Sequence, residues 1–139
     1  MRTVIAPLPP EVEAQLEALD ARLAGIARRF IRRLALEPQL GHPLTRGYLA
    51  SRGVRAVYFD RSSDPDDLFG RRRPLRRAGG QDLAAGPRWR VVYRAAETRD
   101  GELRVIVVLG VGVAHPAPGA ESIYVAAERL LRRLWKEQR

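Results

Sequence analysis

The first third of the chain carries apolar residues at helical spacing. From Glu11 onward they fall at Val12, Leu16, Leu19, Leu23, Ile26, Phe30 and Leu34. Steps of three and four make one continuous stripe. Pro9 and Pro10 precede the stripe, and proline suits a first helical turn. Asp20 can cap a second helix and Gly25 can break one. This divides the stripe into a hairpin, roughly Pro10–Leu19 and Ala21–Leu36; one long helix is the alternative. Met1 to Leu8 reads as a short strand before it. The opposite helix face carries Arg28, Arg29, Arg32 and Arg33, and such a face is more often solvated than functional.

Pro38, Gly41 and Pro43 end the helical pattern and make a loop. Val54 to Phe59 then reads as a strand. Asp60 to Pro87 holds few apolar residues and many turn formers, and reads as a long polar or disordered insertion. Trp89 to Ala96 and Leu103 to Val113 are two further strands, joined by a turn containing Asp100-Gly101. The second is apolar on both faces, which predicts a place inside the sheet. Glu121 or Ser122 can cap a last helix from Ile123 to about Trp135. Its buried side would be Ile123, Ala127, Leu130, Leu131 and Leu134. The pattern predicts an α+β fold: strand, helix hairpin, strand, insertion, two strands, helix. The elements flanking the insertion are too short to fold alone, so residues 1–139 form one domain.

Composition narrows the chemistry. With 139 residues the chain can bury roughly two thirds of its unfolded surface, so it needs no disulfide or metal to fold. It has no cysteine, which excludes disulfides, thiolate zinc, iron–sulfur clusters and a thiol nucleophile. His42 and His115 are the only histidines, too few for a three-histidine metal site. No cofactor is implied. The net charge of +9 points to an anionic partner. Lys136 is the only lysine among 25 basic residues. A GC-rich genome accounts for that bias, but its physical result is a surface of planar guanidinium forks suited to phosphate and carboxylate. The apolar runs are too short for a signal sequence or a membrane span, so the chain reads as cytoplasmic.

Three residue patterns in this order resemble the RelE/ParE superfamily of bacterial toxins from toxin–antitoxin systems. The first is the helix hairpin running into Leu36-Glu37-Pro38-Gln39-Leu40-Gly41-His42-Pro43-Leu44. The second is Trp89-Arg90-Val91-Val92-Tyr93, similar to that family's aromatic-Arg-aliphatic-aliphatic-Tyr strand. The third is a Val-rich strand ending in glycine, a loop bearing His115, then Ile123-Tyr124 with Ala126, Ala127 and Arg129. The resemblance covers nearly everything but 60–87. It implies a small, mainly antiparallel sheet with the hairpin on one face and a concave basic surface. In its ribonuclease members that surface holds messenger RNA on the ribosome. Cleavage there is metal-independent: the ribose 2′-hydroxyl attacks the adjacent phosphate and a 5′-hydroxyl leaves. The demands are cations for the phosphorane, a proton acceptor and a proton donor.

The resemblance assigns catalytic roles to Arg90, Tyr124 and His115. Arg90 would bind phosphate and stabilise transition-state charge; otherwise it is a strand arginine facing solvent or an ion pair. Tyr124 would stack on a base or assist proton transfer; otherwise it packs at a helix start. His115 has the side chain suited to acid–base work, but more residues separate it from Tyr124 than the family pattern leads one to expect. His42, in a Gly-His-Pro loop, reads as structural. Arg55 and Arg94 are candidate RNA contacts on the strands, and Val57 departs from the basic residues expected near Arg55. Arg71, Arg72, Arg73, Arg76 and Arg77 in the insertion can clamp RNA or bind an acidic antitoxin segment, although such blocks are commonly solvated loops. The implied partners are a cognate antitoxin, the ribosome and mRNA, with no membrane. Two alternatives stand beside the nuclease: a ParE-like inhibitor of DNA gyrase that cleaves nothing, and a non-toxic protein of the same fold that only binds a partner.

Overall fold

The computed structural model describes residues 1–66, 89–114 and 119–137. The elements run β1 (Arg2–Ile5), α1 (Pro10–Glu17), α2 (Ala21–Arg33), β2 (His42–Pro43), α3 (Gly47–Ser51), β3 (Val54–Phe59), β4 (Trp89–Glu97), β5 (Leu103–Val113) and α4 (Ile123–Glu137). The strands form one sheet in the order β1-β5-β4-β3-β2. β1 pairs with β5 in parallel, and the other three pairings are antiparallel. The protein is α+β. β5 lies inside the sheet, as its two-sided apolar pattern predicts, with β4 in the middle. Among the described residues no helix is long and apolar enough to cross a membrane.

The apolar stripe folds as two helices. Pro10 opens α1, which buries Val12 and Leu16. Asp20 then caps α2, its Oδ1 accepting the Leu23 N–H at 2.9 Å. α2 buries Leu23, Ile26, Ala27, Phe30 and Ile31. It ends at Arg33 rather than Leu36, because the chain tightens into turns that leave Leu36 exposed. Phe30 meets Phe59 of β3 at 6.2 Å between ring centroids, which seats the hairpin on one sheet face. The arginine face of α2 is not simply solvated. Arg28 bonds Glu13 across the hairpin at 3.1 Å, Arg33 bonds Glu37 at 3.2 Å, and Arg29 pairs with Asp64 and Asp66.

Strand alternation divides the sheet cleanly. Val57, Phe59, Val91 and Tyr93 are buried on the hairpin face. Val54, Ala56 and Tyr58 of β3 face the other way, with Arg90, Val92 and Arg94 of β4 opposite them in register. On β5 the pairing slips between Val92 and Tyr93, leaving Leu109 as the extra residue of a bulge. Beyond the bulge Gly110 and Gly112 stand opposite Val92 and Arg90.

Those glycines admit α4. A Cβ on Gly110 would lie 2.7 Å from Ile123 Cδ1, and one on Gly112 would lie 3.1 Å from it. Ile123 therefore sits in the space two missing side chains leave. Ser122 starts the helix, its hydroxyl oxygen accepting the Tyr124 N–H at 3.2 Å. Ile123, Ala127, Leu130 and Leu131 are buried beneath α4 and Leu134 is partly so. Arg133 pairs with Glu11, tying α4 to the start of α1. The sheet is thus covered on both sides. Ala56 and Val92, on the face opposite the hairpin, are fully buried.

Candidate functional site

Antiparallel register brings the first pair of site residues together. Tyr58 and Arg90 are direct cross-strand neighbours on β3 and β4. The Arg90 guanidinium carbon lies 4.1 Å from the centroid of the Tyr58 ring, a close cation–π contact. Tyr124 follows Ile123, so the seating of Ile123 on Gly110 and Gly112 delivers its phenol to the same place. There it is within hydrogen-bonding reach of both Arg90 and Tyr58. Half-burial raises the Tyr124 pKa above the ordinary phenol value, and the neighbouring Arg90 charge offsets part of that rise. The phenol therefore stays protonated and acts as a donor. His42, exposed on edge strand β2, places its ring 5.7 Å from that of Tyr58.

A second cluster lies at the far end of α4. Arg132 stacks on Tyr48 at 3.8 Å, and Arg52 stands 5.1 Å from Tyr48 and 4.6 Å from Trp135. Arg94 lies 5.8 Å from Trp135 and donates from Nε to the Arg52 carbonyl at 2.8 Å. Cations and rings alternate from Arg132 to Arg94. Between the two clusters a cleft of about 340 Å³ opens between the segment Leu44–Leu49 and the start of α4. Tyr124 lines it and so does Tyr48, together with Val125 and Glu128. Each tyrosine carries an arginine on its other contacts, so the cleft has a cationic group at either end.

The residues singled out from the sequence separate into three groups. Arg90 and Tyr124 come together. Arg94 shares their sheet face, four residues along β4 and so about 13 Å away; it is half-buried against Trp135. Arg55 lies on the opposite face, across from Tyr93, and its Nε donates to the Gly41 carbonyl at 3.0 Å. It holds the loop before β2 and does not join Arg90. His115 and the insertion arginines Arg71, Arg72, Arg73, Arg76 and Arg77 lie outside the described residues. The side chain on β3 that faces Arg90 is Tyr58, not Val57. Tyr58 and His42 are not legible in the sequence as site residues. The β3 alternation, once paired to Trp89–Glu97, would find Tyr58; nothing in the sequence signals the two-residue strand that carries His42.

No protein-family model, curated protein or solved structure matches this chain.

Proposed function

We propose that the protein is a RelE/ParE-like toxin: a ribosome-dependent, metal-independent endoribonuclease of mRNA, neutralised by an antitoxin. One observation carries this reading: Arg90, Tyr58 and Tyr124, brought from two strands and a helix, converge beside a cleft large enough for part of a nucleotide. The Arg90 guanidinium, oriented by the Tyr58 ring, binds the scissile phosphate and stabilises the charge that builds on the phosphorane. The Tyr124 phenol, protonated through burial, donates to a phosphate oxygen or to the departing 5′-oxygen. The proton of the attacking 2′-hydroxyl needs an acceptor, and His42 presents an exposed imidazole beside Tyr58. The products are a 2′,3′-cyclic phosphate and a 5′-hydroxyl. The ribosome fixes the in-line geometry.

The position of α4 supports a second reading. A helix roofing the sheet face suits a protein that docks on a partner, as a gyrase-inhibiting or purely partner-binding relative of the same fold would. One experiment separates them. Purified protein is added to a translating extract, and transcript ends are mapped with wild type and Arg90→Ala. The nuclease reading expects ribosome-dependent cuts, with cyclic phosphate ends, that vanish in the variant. Intact transcripts alongside inhibited DNA supercoiling would replace it with the gyrase reading; intact transcripts and normal supercoiling would leave only the binding protein.

A further inference from the structure

We infer that the cleft between Leu44–Leu49 and α4 is a base subsite that holds one unpaired guanine of a single-stranded RNA, with a phosphate on either side of it bound by Arg90 and by the Arg52–Arg132 pair. This rests on the nucleic-acid reading above and adds to it a substrate preference and the residue that sets it.

Shape comes first. The cleft's 340 Å³ lies in the range of small-ligand sites, about 300–1,000 Å³. Its walls include two tyrosine rings, Tyr48 and Tyr124, and the exposed Val125, and aromatic walls are what an unstacked base seeks. A base has no net charge, whereas the phosphates flanking it do. Cations flank the cleft: Arg90 stands behind Tyr124 at one end, Arg132 and Arg52 stand on Tyr48 at the other, and between them Leu44, Leu49 and Val125 lie beside Arg46 and Glu128. An acidic peptide would not be matched in this way, since its charges recur without a neutral planar group between them.

Glu128 then chooses among bases. Its carboxylate lines the cleft, partly exposed, and Arg132 Nε fixes it by donating to Oε2 at 3.0 Å. A carboxylate is an acceptor only. Guanine presents two adjacent donors, N1–H and the N2 amino group, and both can point at one carboxylate. Adenine and cytosine place a ring-nitrogen acceptor beside their single amino group. Uracil flanks its one N–H with two carbonyls. Each of these sets a lone pair against Glu128, and an acceptor facing an acceptor is unfavourable. Guanine is the base without that conflict.

The probe is a set of fluorescently labelled hexaribonucleotides, UUGUUU, UUAUUU and U6, titrated against the purified full chain by anisotropy at low salt. Wild type should bind UUGUUU at least tenfold tighter than the other two. Glu128→Gln should bring the three within about twofold of one another, because the acceptor-only carboxylate that separates them is gone. Val125→Trp, which narrows the mouth, should weaken UUGUUU more than U6. Equal affinity of wild type for all three oligomers overturns the inference without any variant. So does a guanine preference that survives Glu128→Gln. Failure of the nuclease reading looks different: tight, Glu128-dependent binding of UUGUUU with no cleavage on ribosomes would leave the base subsite standing.

Discussion

The guanidinium of Arg90 lies close enough over its cross-strand neighbour Tyr58 to bring its central carbon within 4.1 Å of the ring centroid. Lysine would keep the charge at position 90 but not the planar stack or the forked donors. On the proposed nuclease reading, Arg90→Lys should therefore lose most of the ribosome-dependent cleavage, by about a factor of ten or more, while the protein stays folded. Tyr58→Leu removes the ring that orients Arg90 and should cost about 1 kcal/mol of stability, the scale of a partly desolvated cation–π contact. Initial cleavage rates and urea unfolding measure the two. Wild-type cleavage by the Arg90→Lys variant would show that charge alone suffices and that the stack has no part in the chemistry.

Tyr93 holds the loop that leads into His42. Its ring is fully buried, its hydroxyl oxygen accepts the Gly41 N–H at 2.9 Å, and its hydroxyl donates to the Pro38 carbonyl at 2.7 Å. Tyr93→Phe would strand a donor and an acceptor in the interior, which costs about 1–3 kcal/mol. Gly41→Ala attacks the same junction from the other side. Its Cβ would lie 2.8 Å from the Tyr93 ring and 2.9 Å from the Ala56 backbone, neither of which can swing away. Both variants should shift the urea midpoint downward, and both should displace the β2 pairing that sets His42 opposite Ala56. Unchanged midpoints would mean that the loop is held by something other than this phenol.

Local pattern decides what the sequence discloses. The stripe from Val12 to Leu34 is long enough for its period to announce two helices once Asp20 is read as a cap. The valine-rich run from Leu103 to Val113 appears as the interior strand its composition implies. Ser122 starts the last helix in the way its position before Ile123 suggests. Short elements carry no period. His42–Pro43 is two residues long, and Gly47–Ser51 is a single helical turn opened by a glycine at φ +80°. In the sequence both read as loop. The site is half legible for a different reason. Arg90 and Tyr124 stand in recognisable strings, but Tyr58 belongs with them only through pairing across the sheet, which no single segment records. Arg55 fails by the same logic. One step along a strand changes face, and Arg55 and Tyr58 are three steps apart.

Gly110 and Gly112 make a testable link between a strand and the site. The first turn of α4 packs down only because β5 lacks side chains opposite Val92 and Arg90. Gly110→Val would place atoms where Ile123 Cδ1 lies, at 2.7 Å from the new Cβ. The isoleucine end can rotate, but the added methyl groups then meet the helix itself. Overpacking of this kind costs about 1–3 kcal/mol. Tyr124 should move with its helix, so cleavage should fall further than stability alone explains. Adding Ile123→Ala should restore part of both. If the double variant recovers stability and no activity, the displaced phenol is not returning to Arg90.

Tyr124 gives the pH dependence its sign. Burial disfavours its phenolate, Arg90 favours it, and burial wins, so the folded pKa lies above the unfolded one of about 10. A group whose pKa rises on folding contributes stability that is complete below the unfolded pKa and is lost as pH climbs through the folded one. Compared with Tyr124→Phe, wild type should therefore keep a constant offset in melting temperature up to about pH 10 and lose ground above it. Arg90→Ala removes the favourable charge beside the phenolate, so the loss should still begin at about pH 10, set by the unfolded chain, but grow larger and continue to higher pH. Melting curves of the three proteins across the alkaline range test this directly, with tyrosinate absorbance following the same titration. An offset between wild type and Tyr124→Phe that never changes with pH would mean the phenol reaches water freely, and it could not then serve as the retained proton donor beside Arg90.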